Sequence, residues 1–274
     1  MTDLSHEHCV PFSDRGLNYG DGLFETMRIW DRRIPLLARH LDRLEDGLRR
    51  LAFTGPDRDA LEACVARVVN GANAESGVVK VLVTRGDGGR GYAPPESASP
   101  RLVATLHALP EQPDHAKTRG IRAGRCRTVL GRSPALAGLK HLGRLEQVLG
   151  AAEVRRAGWH EGVMCDEHGS VVEGTRSNLF LARDGVLITP ELDASGVAGI
   201  LRGRILERVS AAGEALEIRR VDYHELMTAD EVFFANSVAG LWPVAALGPA
   251  RWQDFPVCHR LAAALAAEGL AWLA

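Results

Sequence analysis

In PALAGLKHLGRLEQVL, residues 134–149, small and apolar side chains surround a single lysine, Lys140. Leu139, Leu142, Leu145, Leu149 and Ala152 recur at helical spacing, so the stretch predicts an amphipathic helix over 139–156 with Lys140 where it begins. Lysine is scarce here: of 33 basic residues 30 are Arg, and the lysines are Lys80, Lys117 and Lys140. Only lysine offers a primary amine side chain for Schiff-base chemistry. Two readings of Lys140 stand side by side. It is a helix-terminal lysine whose stem snorkels to water, or a desolvated amine able to attack a carbonyl carbon. Lys80 lies mid-strand with no motif beside it and is read onto a solvated sheet face. Lys117 is read as solvated.

Upstream of that stretch, GLFETMRIW (22–30) reads as a strand ending in a turn at 31–33. Leu37, Leu41, Leu44, Leu48 and Leu51 then mark a helix over 36–52, and a second helix spans 57–70. GVVKVLVT (77–84) is a β-branched strand, RGDGGRGY (85–92) a glycine-rich loop and RLVATLHA (101–108) another strand. Two prolines and no periodicity make 109–118 a linker, which divides the chain into an N-terminal α/β domain over 1–108 and a C-terminal α/β domain over 119–274. In the second domain strands are expected at 119–129, 162–166, 170–174 and 177–182. Asp184-Gly185 turns the last of these into VLITP. Helices at 199–212 and 258–273 and a strand at 231–236 complete the reading. Neither half alternates regularly as βαβ or carries GxGxxG, so the class is α/β in the broad sense (α+β) rather than a Rossmann fold.

The composition narrows the function. The 33 basic and 35 acidic residues leave a net charge of −2, which argues against a dedicated nucleic-acid binder. No apolar run approaches the roughly 20 residues of a membrane span, and MTDLSHEHCV lacks the pattern of a secretory signal. Five cysteines without CxxC spacing fit a reducing cytoplasm. Cys126 and Cys165 are expected to be buried and inert. His6, His8, His107 and His115 have no acidic or cysteine partner at ligand spacing, so no metal is expected.

Four more features could carry chemistry. Glu173 ends a valine-rich strand in VVEGTRSNLFLAR (171–183), as a turn-capping carboxylate or as a buried anion needing a cationic partner. In DASGVAGILRGRIL (193–206), Gly199 and Ile200 open a helix whose free N–H groups suit a phosphate. Ser237, after FFAN, is a turn hydroxyl or a further phosphate contact. Arg43 lies in line with His40 and Gly47, as a surface arginine or a phosphate clamp.

Taken together, YGDGLFET (19–26) with HLDRL (40–44), LKHLGRLEQ (139–147), EGTRSNLF (173–180) and GVAGILR (196–202) resemble the fold-type IV pyridoxal phosphate enzymes. That family includes branched-chain aminotransferases, D-amino-acid transaminases and 4-amino-4-deoxychorismate lyases. The resemblance covers most of the chain and implies a two-domain, D-amino-acid aminotransferase-like fold and a homodimer acting on a small molecule. RGDGGRGY and the lysine block are similar to the lyases. Leu145 stands where branched-chain transaminases usually carry tyrosine, and Gly143 where lyases often have asparagine.

By position the resemblance implies that Lys140 holds pyridoxal 5'-phosphate and moves the substrate proton, and that Glu173 pairs with the ring nitrogen. It implies that Arg43, Gly199, Ile200, Ser237 and the neighbouring Asn236 bind the cofactor, mainly at its phosphate. Arg28, Arg90 and Tyr92 are candidates for substrate carboxylates, with Thr26 and His107 as further substrate contacts. The loop over 85–92 is expected near a homodimer interface. The expected reaction is elimination from 4-amino-4-deoxychorismate to 4-aminobenzoate and pyruvate. A transaminase of D-amino or branched-chain amino acids, and a non-enzymatic binding module, are the competing readings.

Overall fold

The computed structural model describes residues 10–72, 75–88, 91–97, 99–113 and 115–273. The chain forms two compact units. One runs to Ala108 and takes in Lys140–Gly143; the other comprises Leu109–Leu139 and Arg144 onward.

In the N-terminal unit a short helix, α1 (Arg15–Tyr19), leads into strand β1 (Gly22–Trp30). Helices α2 (Leu37–Arg50) and α3 (Arg58–Ala72) follow, then strands β2 (Ser76–Thr84) and β3 (Arg101–His107). The three strands form an antiparallel sheet in the order β1-β2-β3. Alternation along β1 puts Leu23, Glu25, Met27 and Ile29 inside and turns Phe24, Thr26 and Arg28 the other way. The inner row packs with Leu41, Leu44 and Leu48 of α2 and with Leu61 and Val65 of α3. Gly47 lets α2 approach the sheet, since a Cβ there would lie 2.6 Å from a Leu23 methyl.

The C-terminal unit is built on a large mixed sheet. Its elements are β4 (Ile121–Leu130), α4 (Leu145–Ala157), β5 (Glu161–Asp166), β6 (Ser170–Gly174), β7 (Asn178–Arg183), β8 (Val186–Pro190) and α5 (Ile200–Ala211). They continue with β9 (Leu216–Arg219), β10 (Val221–Asp222), α6 (Tyr223–Met227), β11 (Glu231–Asn236), β12 (Gly240–Leu247), β13 (Ala250–Arg251) and α7 (Pro256–Ala267). Strand order is β10-β6-β5-β4-β12-β11-β7-β8-β9, with β13 beside β12. β4 runs parallel to both β5 and β12. The central strands β5, β7 and β11 are buried on both faces, which explains their near-continuous apolar runs. Phe180 and Phe233, paired across β7 and β11, stack at 5.0 Å. The Asp184-Gly185 hairpin forms as expected, with φ of 50° and 79° joining β7 to β8.

Three expectations need correction. The helix read over 139–156 begins at Leu145. Residues 140–142 are extended along the free edge of β1: Phe24 N–H donates to the Lys140 carbonyl at 2.9 Å and Leu142 N–H to the Gly22 carbonyl at 3.0 Å. Sheet pairing therefore overrides the apparent leucine stripe. Leu145 and Leu149 of that stripe are 78% and 59% exposed. The helix read over 258–273 ends at Ala267, because Gly269 at φ 100° turns the chain into a 3-10 turn, Ala271–Leu273. Strand β12 was not expected, since Pro243 interrupts its apolar run; it is accommodated next to a register shift between Val244 and Ala246.

Candidate active site

The open face of the N-terminal sheet gathers several of the expected residues. Thr26 lies opposite Lys80, which lies opposite Thr105; Arg28 lies opposite Val78, which lies opposite His107. The edge segment brings Lys140 to the same face, its Nζ 4.2 Å from the centre of the Phe24 ring. Lys80 Nζ sits 5.5 Å from the centre of that ring. Thr105 Oγ1 and His107 Nε2 are hydrogen-bonded at 2.8 Å. The Arg28 guanidinium lies over Trp30 at 5.6 Å, and burial pulls its pKa down.

Arg43 is on the helix side of β1. Glu25, fully buried, accepts from Arg43 Nε at 2.7 Å and from its Nη2 at 2.6 Å, while His40 Nδ1 lies 2.7 Å from the carboxylate oxygen Oε2. Burial pushes the Glu25 pKa up, but Arg43 and then His40 outweigh it and hold the group at about 2. The bidentate pair fixes the plane of the guanidinium. Alternation places Glu25 in the same inward row as Leu23, Met27 and Ile29, a signal that could have found it in the sequence. Lys80, read onto a solvated sheet face, is half-buried on the open face of the sheet.

The glycine-rich loop is latched from below. Asp21 holds the Nε of both Arg15 and Arg85 at 2.8 Å. The terminal nitrogens of Arg15 donate to the carbonyls of Gly91, Tyr92 and Ala93. Tyr92 is 85% exposed and meets the Tyr19 ring at 5.5 Å. Arg90 lies outside the described residues.

In the C-terminal unit Glu173, buried at the end of β6, accepts from the Val197 N–H at 2.8 Å. Asn178 Nδ2 donates to the Val197 carbonyl at 2.8 Å. Val197 is thus gripped at both its backbone groups, and Gly138 bonds the residues on either side of it. This clamp delivers the chain to Gly199, the N-cap of α5, where no side chain caps the helix. The first-turn N–H groups of Ile200 and its successors therefore point outward from a helix start that favours anions. A Cβ on Gly199 would come within 2.0 Å of Asn178 Oδ1. Arg202, also in the first turn, is buried against Thr189 Oγ1 and the Pro190 carbonyl, and burial lowers its pKa against the attraction of Glu173.

A second buried carboxylate, Glu161, accepts from Thr175 N–H, Thr175 Oγ1 and Ser177 Oγ and so shapes the turn after Glu173. No local sequence signal marked it. Asn236 spends its Oδ1 on the N–H groups of Val238 and Ala239, which builds the turn that presents Ser237 at the end of β11. Cys126 and Cys165 are buried and free, and burial raises both thiols, Cys126 to about 12. Among the described residues no cluster of three or more His, Cys, Asp or Glu could hold a metal ion. None of their helices is long and apolar enough to cross a membrane.

Within the N-terminal unit the structure thus collects Thr26, Arg28, His107 and Lys140 on one sheet face and sets Arg43 behind it. Within the C-terminal unit it ties Glu173 to the segment that starts Gly199 and Ile200, and puts Asn236 and Ser237 at a strand-end turn.

Known proteins resemble this chain in sequence and fold. A family profile described as Amino-transferase class IV matches residues 22–247. An aminodeoxychorismate lyase of Vibrio harveyi is 34% identical over 250 residues, covering 90% of this chain and 91% of its own. The crystal structure of 4-amino-4-deoxychorismate lyase from Pseudomonas aeruginosa superposes with a TM-score of 0.90 at 47% identity, covering 95% of this chain and 96% of that one. A T.th. branched-chain amino acid aminotransferase, solved with pyridoxamine 5'-phosphate, gives a TM-score of 0.84 at 26% identity over 96% of this chain and 90% of that one. The fold is that of the fold-type IV enzymes, and the chain belongs to the class IV amino-transferase family.

Proposed function

We propose that this protein is an aminodeoxychorismate lyase, converting 4-amino-4-deoxychorismate to 4-aminobenzoate and pyruvate on the route to folate. The observation that carries this reading is the likeness to two lyases, 34% and 47% identical, over at least nine-tenths of both partners in each case. The residues present fit pyridoxal 5'-phosphate: a lysine amine held against an aromatic ring, a buried carboxylate, and an uncapped helix start at which a Cβ would not fit. When bound, that cofactor supplies an electron-accepting ring, so that a proton can leave the amine-bearing carbon and the electrons can expel the neighbouring ether oxygen.

Lys140 is the covalent anchor and, once released, takes the proton from that carbon on its Nζ. Glu173 keeps a proton on the ring nitrogen. Its Val197 hydrogen bond fixes the carboxylate for that task. Arg43, the Gly199–Ile200 backbone and the Ser237 hydroxyl bind the phosphate, with Asn236 holding the Ser237 turn. Thr26, Arg28, Arg90, Tyr92 and His107 contact the substrate. The protein works as a cytoplasmic homodimer. The apolar exposed side of α4 supports this, with Leu145, Val148 and Leu149 each at least 59% exposed.

A second reading, a transaminase, is favoured by the likeness to the aminotransferase solved with pyridoxamine 5'-phosphate. The two separate in one assay: purified holoenzyme is given 4-amino-4-deoxychorismate without any keto acid and followed for pyruvate. The lyase releases pyruvate, and Lys140→Ala abolishes both the yellow colour and the product. A requirement for 2-oxoglutarate, or pyruvate release that survives in Lys140→Ala, overturns the reading.

A further inference from the structure

Glu161 opens β5 and is fully buried, yet the chemistry assigned above leaves it unused. Its carboxylate is surrounded by donors. Oε1 accepts from the N–H groups of Gly162 at 2.9 Å and Thr175 at 3.0 Å and from Thr175 Oγ1 at 2.5 Å. Oε2 accepts from Ser177 Oγ at 2.8 Å, and Arg176 Nε lies 3.7 Å from it. Three of these four hydrogen bonds go to one short link, residues 175–177, between β6 and β7.

That link needs an external hold. β6 and β7 are not neighbours in the sheet, since β5, β4, β12 and β11 stand between them, so no ladder sets their spacing. Within the turn Gly174 N–H donates to the Ser177 carbonyl at 2.6 Å. The packing around it is equally close. A Cβ on Gly174 would run into Ser177 Oγ, and one on Gly150 or Gly162 would lie 3.2 Å from the Thr175 methyl. Stripping a carboxylate with this many partners strands buried donors that water does not reach.

The two ends of the link carry its consequence. Glu173 and Gly174 precede it and Asn178 follows it. Glu173 accepts from the Val197 N–H and Asn178 donates to the Val197 carbonyl, both at 2.8 Å. Val197 lies just ahead of Gly199, the N-cap of α5. A shift of the link therefore moves Glu173 against Asn178 and carries the start of α5 with it.

We propose that Glu161 is a positioning residue for the cofactor: it fixes the spacing of Glu173 and Asn178 and so holds the ring-nitrogen contact and the phosphate contact in one register. This rests on the reading of Glu173 and the Gly199–Ile200 backbone as cofactor contacts, and it is independent of whether the enzyme eliminates or transaminates. Glu161 acts through the turn, and the proton transfer stays with Lys140.

The test titrates pyridoxal 5'-phosphate into apoprotein and follows the visible absorbance of the bound cofactor against pH, for wild type, Glu161→Met and Glu161→Gln. Glu161→Met removes every acceptor at nearly the same volume. Glu161→Gln keeps the Oε1 acceptor, and Ser177 can turn its hydroxyl to accept from the new amide. In Glu161→Met the cofactor dissociation constant rises about tenfold to a hundredfold. The absorbance titration also moves relative to wild type, because Glu173 no longer keeps its place at the ring nitrogen. Glu161→Gln recovers a large part of both. Should circular dichroism show Glu161→Met unfolded, Thr175→Val and Ser177→Ala, which each remove one hydroxyl, decide the matter: each weakens cofactor binding about threefold to tenfold. Folded variants that bind the cofactor within about twofold of wild type and titrate as wild type does, whatever their thermal midpoint, overturn the proposal and leave Glu161 a prop of the fold alone. Wild-type apoprotein that takes up no cofactor overturns the cofactor reading itself, and the proposal with it.

Discussion

Replacing Glu25 with glutamine removes the charge that Arg43 and His40 share while keeping nearly the same shape. The carboxylate is held at about 2 against an ordinary 4.5. Each pH unit between folded and unfolded values is worth about 1.4 kcal/mol, so on the order of 3 kcal/mol of stability depends on the ionised form at neutral pH. The direction follows from the depressed value. The contribution is complete above the unfolded carboxylate range and is lost as the pH falls through that range toward 2. Removing the negative charge opposite Arg43, whose side chain is only 14% exposed, points to a cost of the same order. At a urea dependence of about 1–3 kcal/mol per molar, the unfolding midpoint of Glu25→Gln should drop by about 1–3 M. Circular dichroism in urea, repeated from pH 7 down to pH 3, reads both effects. Wild-type protein should lose stability steadily over the acid half of that range, and the variant should lose distinctly less. The guanidinium, no longer held in its plane, should also release pyridoxal phosphate more readily on dialysis. A variant with a wild-type midpoint and a wild-type acid slope would refute the reasoning, since the buried pair would then contribute nothing.

Two other substitutions probe the frame and the assembly. Gly199→Ala forces a methyl onto Asn178 Oδ1 and should cost about 1–3 kcal/mol while weakening cofactor retention, read from absorbance after dialysis; full retention would separate this helix start from the phosphate. Leu149→Asp, on the exposed side of α4, should shift the sedimentation coefficient from dimer to monomer, and an unchanged dimer would put the interface elsewhere.

Much of the fold could be read from periodicity. The alternation in GLFETMRIW and the leucines of 37–51 report burial directly, and β1 and α2 form where those patterns place them. The reading failed where backbone pairing competes with side-chain pattern. Leu139 and Leu142 have helical spacing with Leu145, yet the carbonyl of Lys140 and the N–H of Leu142 are taken by β1, which no local window can reveal. Pro243 hid β12 for the converse reason: it breaks a strand signal that the sheet nevertheless accommodates. Among the chemically interesting residues, those inside compact motifs were visible. Glu161 was not, because its partners Thr175 and Ser177 lie 14 and 16 residues away and only the fold gathers them. The proximity of Lys80 and Lys140 to the Phe24 ring was likewise invisible, because the three are distant in the chain.

The grip on Val197 divides the molecule's residues into two kinds. Glu173 and Asn178 each carry a structural duty, so exchanging either one disturbs the approach to α5 as well as any chemistry. Thr26 and Lys80 on the outer side of the small sheet have no comparable duty; they can be replaced without unmaking a strand. Substitutions on that wall therefore leave the framework as it is, whereas substitutions at the Val197 grip reach framework and chemistry together.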